Sequence, residues 1–251
     1  MLWTLIVEPS GQTGSENMSI DHSLLCRAQE GVGFLRLYRW SPPCLSFGRN
    51  EPAKRRYDLT KIERLGLDTV RRPTGGRAVW HDAEVTYAVA APTATFGALG
   101  ETYNIIHATI AVALRSLGVP AEQAGRPDAL GPGLANGACF ASPAGGEVVA
   151  GGRKLVGSAQ VREGTAFLQH GSVLLEDGQD VVAQVTSGAT IQPVATSISA
   201  LLGRPASFDE VADAIGLEAQ RAWPGEWIEN ERFLADTSVA RFADSEWTWR
   251  R

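Results

Sequence analysis

Lysine is scarce in this chain: of 23 Lys+Arg residues only Lys54, Lys61 and Lys154 are lysines. Arginine is the default cation. Lys154 lies in the run Gly151-Gly152-Arg153-Lys154-Leu155-Val156-Gly157-Ser158-Ala159-Gln160. A lysine among glycines and small residues suggests a need for a compact, rotatable ammonium whose pKa can move, a task to which an always-charged planar guanidinium is poorly suited. Taken alone, a solvated turn lysine is the plainer reading. Cysteine is also sparse. Cys26, Cys44 and Cys139 form no Cys-x-x-Cys spacing, which argues against a disulfide framework and a structural zinc site. No apolar run approaches a membrane span, and the apolar stretch Met1 to Val7 lacks the basic flank of a secretory signal and reaches Glu8 too soon. The expectation is a cytoplasmic protein with no membrane partner. A net charge of −5 gives no global pull toward nucleic acid, so none is expected as a partner. An anionic partner would be met locally, by Arg49, Lys54, Arg55, Arg56, Arg71, Arg72 and Arg77. Internal repeats and low-complexity linkers are absent, so residues 1–251 read as one domain, with 44% hydrophobic residues to build its core.

The pattern of elements is mixed. Asn17 to Glu30 carries Met18, Ile20, Leu24, Leu25 and Ala28 at helical spacing behind the capping candidates Ser15 and Asn17, and Cys26 falls within that stripe. Phe34 to Trp40 reads as a strand ended by Pro42-Pro43. A short helix near Tyr57 to Leu65 precedes a strand ending at Arg71-Arg72, and Val85 to Ala90 is another strand. Glu101 to Leu117 is a helix with the apolar stripe Ile105, Ile106, Ile110, Val112, Ala113 and Leu117, and Gly118 stands where a left-handed cap would. A Gly/Pro-rich loop follows from Arg126 to Asn136. Glu147 to Ala150, Lys154 to Arg162 and Thr165 to Leu175 then read as three strands of an antiparallel meander. From Thr196 the chain turns helical, with a capping box at Ser207 to Glu210. Strands and helices are partly segregated, which predicts an α+β fold: mostly antiparallel sheet packed with helices.

Two stretches could carry chemistry. Arg71-Arg72-Pro73-Thr74-Gly75-Gly76-Arg77-Ala78-Val79-Trp80-His81-Asp82 joins a tight turn with free backbone amides to three guanidiniums and an imidazole. Such amides can cradle an anion or a substrate carbonyl, and glycine permits close approach. The Gly-Lys-Ser/Thr ending of a phosphate-binding loop is absent. A hairpin with a solvated arginine rim is the plainer alternative, and His81 alone reads equally well as a turn or core histidine. Cys139 sits at the end of the glycine-rich loop, outside any apolar stripe, whereas Cys26 and Cys44 read as core filler. A loop folded over the Lys154 strand would bring an ammonium to this thiol and lower its pKa below the reference of about 8.5.

Three runs together, Arg71 to Asp82, Gly152 to Gln160 with Leu168-Gln169-His170-Gly171-Ser172 following, and Glu16 to Leu25, resemble the lipoate-protein ligase and octanoyltransferase family, which shares its fold with the biotin ligases. The resemblance extends over nearly the whole chain, to Trp247-Thr248-Trp249. It implies a biotin/lipoate ligase-like catalytic domain. ATP-dependent members typically carry a third glycine in the first motif and an Asn-Asp pair before the lysine motif; here Arg77 and Glu147-Val148-Val149 stand in those places. Both departures, the Ala138-Cys139-Phe140 context and the lack of a further C-terminal domain resemble the octanoyltransferase branch that uses a loop cysteine.

The implied reaction moves an octanoyl group from octanoyl-acyl carrier protein through a Cys139 thioester to the target lysine of a lipoyl domain, such as that of the glycine cleavage H protein, with no cofactor and no metal. Lys154 would supply positive charge or help deprotonate the incoming lysine. Arg72, Gly75, Gly76, Arg77, His81, Gly157, Ser158, Ala159 and His170 would bind substrate, with His81 and His170 either orienting the reacting groups or packing. Three alternatives stay open: an ATP- and magnesium-dependent lipoate ligase, an amidotransferase between lipoyl proteins, and a silent acyl-protein binding module.

Overall fold

The computed structural model describes residues 1–125, 145–188, 194–230 and 239–251. Its elements run β1 (Leu2–Gln12), α1 (Gly14–Ala28), β2 (Gly33–Trp40), β3 (Cys44–Phe47), α2 (Ala53–Arg56), α3 (Leu59–Arg64), β4 (Asp68–Arg71), β5 (Val79–His81), β6 (Glu84–Pro92) and α4 (Leu99–Ser116). They continue through β7 (Glu122–Gln123), β8 (Val148–Ala150), β9 (Arg153–Lys154), β10 (Val156–Glu163), β11 (Ala166–Leu174), α5 (Asp180–Val185), α6 (Ile198–Leu202), α7 (Phe208–Ala222), β12 (Glu226–Asn230), α8 (Val239–Ala243) and α9 (Ser245–Thr248).

A six-stranded sheet in the order β10-β11-β6-β2-β1-β12 forms the centre, with two three-stranded sheets, β4-β3-β5 and β7-β8-β9, beside it. The first four strands of the large sheet pair antiparallel, while β1 pairs parallel with both β2 and β12. The α+β, mostly antiparallel expectation holds, with a parallel edge at β1 and β12. Side chains alternate across the sheet. One face, including Phe34, Tyr38, Ala88, Ala90 and Leu168, packs under Met18, Leu24 and Leu25 of α1. The other, including Leu35, Leu37, Val89 and Phe167, packs under Ile106, Ile110 and Leu114 of α4 and Val211 and Ile215 of α7. Among the described residues no helix is long and apolar enough to cross a membrane.

Several local expectations are corrected. Helix α1 is capped by Thr13, whose hydroxyl accepts from the Glu16 amide while the Glu16 carboxylate accepts from the Thr13 amide; Ser15 and Asn17 lie inside the helix. Cys26 is exposed, so it fills no core, whereas Cys44 is buried. The helix near Tyr57 is two short ones, α2 and α3, the second opened by the Asp58 side chain. On α4 the inward stripe is Ile106, Ile110, Ala113 and Leu114, with Ile105 and Val112 exposed; Gly118 is left-handed, φ +87°, as its position predicts. The Ser207 hydroxyl caps α7, but Glu210 pairs with Arg204 instead of closing the box. The strand from Lys154 breaks at buried Leu155, where the chain leaves the small sheet and enters the large one.

Trp3 of β1 lies against Phe96, Trp223 and Trp227, with centroids 5.0–5.8 Å apart. Gly33, its register partner on β2, gives the indole room: a Cβ there would come within 2.5 Å of the ring. Overpacking of this kind costs about 1–3 kcal/mol, and each kcal/mol lowers the melting temperature of a chain of this size by about 2–4 °C. Gly33→Ala is therefore expected to melt about 2–12 °C below wild type by circular dichroism, with partial recovery when Trp3→Phe is added. Unchanged melting would show that the indole moves aside freely.

Candidate active site

The site grows from one buried carboxylate. Asp21, on the inward face of α1, lies over a row of the sheet in which Arg36, Ala88 and His170 are register neighbours. Ala88 is small, which leaves space for a side chain arriving from above to bridge the two larger ones. Asp21 Oδ1 accepts from Arg36 Nη1 at 2.9 Å, and Oδ2 accepts from Tyr38 Oη and His170 Nδ1, each at 2.8 Å. Arg36, fully buried, completes its fork with Glu8 Oε2 at 2.6 Å and Asn17 Oδ1 at 2.8 Å. Burial alone would raise the Asp21 pKa, but the His170 hydrogen bond and the Arg36 charge hold the carboxyl below its ordinary value. Burial lowers the His170 pKa, against the pull of Asp21. With its Nδ1 proton donated to Asp21, neutral His170 accepts at Nε2 from Thr74 Oγ1, 2.6 Å away. Asp21, His170 and Thr74 come from the three motif runs, and this chain of contacts joins them.

Thr74 opens the glycine turn. Arg72 sits inside that turn and fixes its shape: Nη1 donates to Ser46 O and Oγ at 3.0 and 2.6 Å, and Nη2 to Gly75 O and Arg77 O at 3.1 and 2.8 Å. Gly76 is in the left-handed region, φ +90°, where a side chain is strained. Its carbonyl passes so close to Gly48 that a Cβ on Gly48 would overlap it, at 1.9 Å. Gly75 faces open space.

His81, at the end of β5, bonds Ser46 Oγ through Nε2 at 2.6 Å and Glu84 Oε1 through Nδ1 at 2.8 Å, and stacks on Trp40 at 4.1 Å. Glu84 Oε1 also accepts from Thr86 and Ser172. Both ring nitrogens of His81 and of His170 are thus engaged within the protein. These histidines build the wall and present ring surface to the pocket.

That pocket is lined by Met18, Tyr38, Trp40, Arg72, Val79, His81, Thr86, Gly157, Ser158, Ala159, His170, Gly171 and Ser172. Six of the expected site residues therefore meet: Arg72, His81, Gly157, Ser158, Ala159 and His170. Gly75, Gly76 and Arg77 form the adjacent rim. Gly157 to Ala159 lie on β10, which has only β11 beside it in the large sheet among the described residues.

A second polar chain occupies the opposite face of the same strands. His107 of α4 is buried; its Nδ1 donates to Gly146 O at 2.8 Å, and Ser158 Oγ donates to its Nε2 at 2.8 Å. Ser158 in turn accepts from Tyr87 Oη at 2.6 Å, and Tyr87 accepts from Gln169 Nε2 at 2.9 Å. One donor direction satisfies every link. Gly171 makes this possible, since a Cβ there would sit 2.4 Å from Ser158 Oγ and 2.9 Å from the Tyr87 ring.

Lys154 is 1% exposed and is not a lining residue of the pocket; its Nζ pairs with Glu147 Oε1 at 2.7 Å. Glu147 marks, in sequence, only a departure from the ligase pattern, yet here it is a partner of the lysine. Sequence reading also missed Asp21, Arg36, Glu84 and His107, since a buried charge leaves no periodic signal apart from its place on an apolar face. Cys139 lies outside the described residues, as does the 126–136 loop. Among the described residues no three His, Cys, Asp or Glu side chains gather as a metal would require.

The lipoyl protein ligase A/B catalytic domain family matches residues 13–220. An octanoyltransferase LipM of Kyrpidia tusciae is 36% identical, covering 99% of both chains. One of Moorella thermoacetica is also 36% identical, covering 94% of this chain and 93% of that one. Among solved structures, a lipoate-protein ligase A bound with ATP superposes with a TM-score of 0.81 at 19% identity, covering 99% of both. A bi-partite lipoate protein ligase from Thermoplasma acidophilum, described with its E2 lipoyl domain, gives 0.77 at 20%, covering 98% of this chain and 95% of that one.

Burial, with the nearby Lys154 charge adding to it and the Gly146 carbonyl opposing it, lowers the His107 pKa to about 4. The unfolded chain binds this proton near 6.5, so stability from His107 is complete above about pH 6.5 and falls away toward pH 4, by about 3 kcal/mol. His170, also lowered, acts in the same direction. The urea midpoint of wild type is expected to drop between pH 7 and 4.5, and less steeply in His107→Gln. Parallel profiles for the two proteins would show that His107 titrates normally.

Proposed function

The chain belongs to the lipoyl protein ligase A/B catalytic-domain family, and from that membership we propose that it transfers an octanoyl group to the target lysine of a lipoyl domain. The observation that carries this reading is the likeness along the whole chain to proteins named octanoyltransferases. The likeness to the ATP-bound ligase, by contrast, is one of fold.

The donor in this reading is octanoyl-acyl carrier protein. The Cys139 thiolate attacks the thioester carbonyl, the carbon–sulfur bond to phosphopantetheine breaks, and that thiol leaves with a proton. The octanoyl-Cys139 thioester is then attacked by the acceptor lysine amine; the amide forms, the amine loses a proton and the thiolate returns. The thioester already carries the activation that the amide needs, so no nucleotide, metal or cofactor enters. The pocket between β10 and the Arg72 turn, walled by Met18, Trp40, Val79 and Ala159, suits an alkyl chain. Lys154, in a buried ion pair with Glu147, supplies positive charge to the reacting centre or helps deprotonate the acceptor lysine. Glu147 favours this over the ligase reading: a lysine that holds an adenylate phosphate would have to compete with a carboxylate 2.7 Å away.

Purified protein mixed with octanoyl-acyl carrier protein and no ATP is expected to gain one octanoyl group on Cys139 by intact mass and to modify a lipoyl domain. Cys139→Ala is expected to lose both. Full transfer by folded Cys139→Ala removes the thioester step, and ATP-dependent adenylation of free lipoate with no adduct from the carrier protein replaces the transferase with the ligase.

Lys154→Arg is expected to be nearly as inactive as Lys154→Ala, although it keeps the charge. The site is buried, and a guanidinium is larger, flat and unable to accept a proton. Melting temperatures measured alongside separate this from simple unfolding. Wild-type turnover in the arginine variant would mean that charge alone is required.

A further inference from the structure

The structure gathers basic side chains that are about 200 positions apart in sequence. Lys54 and Arg55 are exposed on α2, and the Lys54 amide donates to Arg251 O at 3.0 Å. Arg250 Nη2 donates to Arg49 O at 2.6 Å. The guanidiniums of Arg241 and Arg250 both lie over the Trp247 ring, at 4.0 and 3.9 Å, and the Trp247 indole donates to Arg71 O at 3.0 Å. The ring thus holds two like charges near one another. The acids alongside are Glu51, buried and bonded to Tyr57 and Arg56, Glu163, 3.6 Å from Arg49 while also facing His22, and exposed Asp244 and Glu246 beside Trp247, so the cations outnumber them. The mutual repulsion registers in Arg250, whose pKa is lowered by burial and then by the charges of Arg49, Arg251 and Arg241.

This surface adjoins the pocket rim. The Arg49 amide donates to Thr74 O at 2.7 Å, and Thr74 holds His170 of the pocket wall. Arg71 Nη1 ties Gly48 O and Glu51 O, at 2.7 and 2.9 Å, to the strand that leads into the turn. On a chain of net charge −5, a cluster of six cations, Arg49, Lys54, Arg55, Arg241, Arg250 and Arg251, beside the pocket mouth is a directed feature.

We propose that this face docks the acyl donor: a carrier protein whose surface around its phosphopantetheine arm is acidic. The inference rests on the transferase reading and specifies where the donor lands. The arm brings a phosphodiester anion, and an acidic carrier surface would complement the cluster, steering the thioester toward the Thr74–Arg77 rim.

The test is Lys54→Glu/Arg55→Glu, two exposed positions outside the pocket. At low salt the KM for octanoyl-acyl carrier protein is expected to rise by about tenfold or more with kcat retained, and the gap to narrow at high salt as the screening length falls from about 10 Å at 0.1 M to about 3 Å at 1 M. The KM for the lipoyl domain, and turnover of uncharged octanoyl-pantetheine, are expected to stay as in wild type. An unchanged carrier-protein KM overturns the proposal, and so does a shift that falls on the lipoyl domain instead. If wild type fails to use octanoyl-acyl carrier protein at all, the donor assignment fails separately. Fluorescence anisotropy with unacylated carrier protein then decides the surface: weaker binding by the double variant supports it, and equal binding overturns it.

Discussion

The Asp21 carboxylate ties helix α1 and the central sheet to the glycine turn through one line of polar contacts. Strand β2 brings Arg36 and Tyr38 to this residue of α1, β11 brings His170, and the glycine turn brings Thr74 to His170. A buried carboxylate is tolerated only when its lone pairs are taken. Asp21 is satisfied by a guanidinium, a phenol and an imidazole at once. Losing any one partner would leave a charge in an apolar layer, so helix packing, sheet register and turn position depend on one another. That interdependence explains why three motifs, far apart in sequence, occur together. The carboxylate fixes the Nδ1 proton of His170, which makes Nε2 an acceptor, and the Thr74 hydroxyl then has one place to point.

The alternation of β11 sends successive residues of the Leu168–Ser172 run to different tasks. His170 and Ser172 face α1 and the pocket, with Ser172 meeting Glu84 and His81. Gln169 and Gly171 face α4, one bonding Tyr87 and the other making room for Ser158. A single strand therefore braces both faces of the sheet beside the pocket. The first polar chain holds β11 through His170, and the second holds β10 through Ser158 and β11 through Gln169. A pocket for a flexible alkyl chain gains from rigid walls, because less freedom is lost when the ligand binds.

Much of this was legible in the sequence, for definable reasons. Helices α1 and α4 carry apolar periodicity that largely survives translation into burial, α7 declares itself by its Ser207 cap, and the glycine turn and the His-Gly-Ser run announce themselves by residue type. Six of the residues expected at the site line the pocket, whereas Lys154 is buried away from that lining. Partnerships across the chain were not legible. Glu147 shows no local sign that its carboxylate lies against Lys154, and the pairing of β1 with β12 joins segments more than 200 residues apart. Local spacing also misjudged Cys26, Ile105 and Val112, which share a helix with core residues but sit on its outer side. Burial on a helix is decided by whatever packs against it, and that information lies elsewhere in the chain.

The division of labour between arginine and lysine follows from geometry. The buried arginines each serve several fixed acceptors: Arg36 serves two carboxylates and an amide, Arg71 four backbone carbonyls, and Arg72 three carbonyls and a hydroxyl. A planar fork with five donors suits that work, and its permanent charge does no harm where the task is structural. An ammonium would satisfy fewer acceptors and leave carbonyls bare. At position 154 the demand is reversed. The strand break at Leu155 marks the passage from the small sheet to the large one, and the buried group at 154 faces one carboxylate within its ion pair. A compact cation on a flexible stem fits, and unlike a guanidinium it can exchange a proton during a reaction. In a chain that uses arginine almost everywhere, position 154 thus holds a lysine where size and proton exchange both count in the chemistry proposed for it.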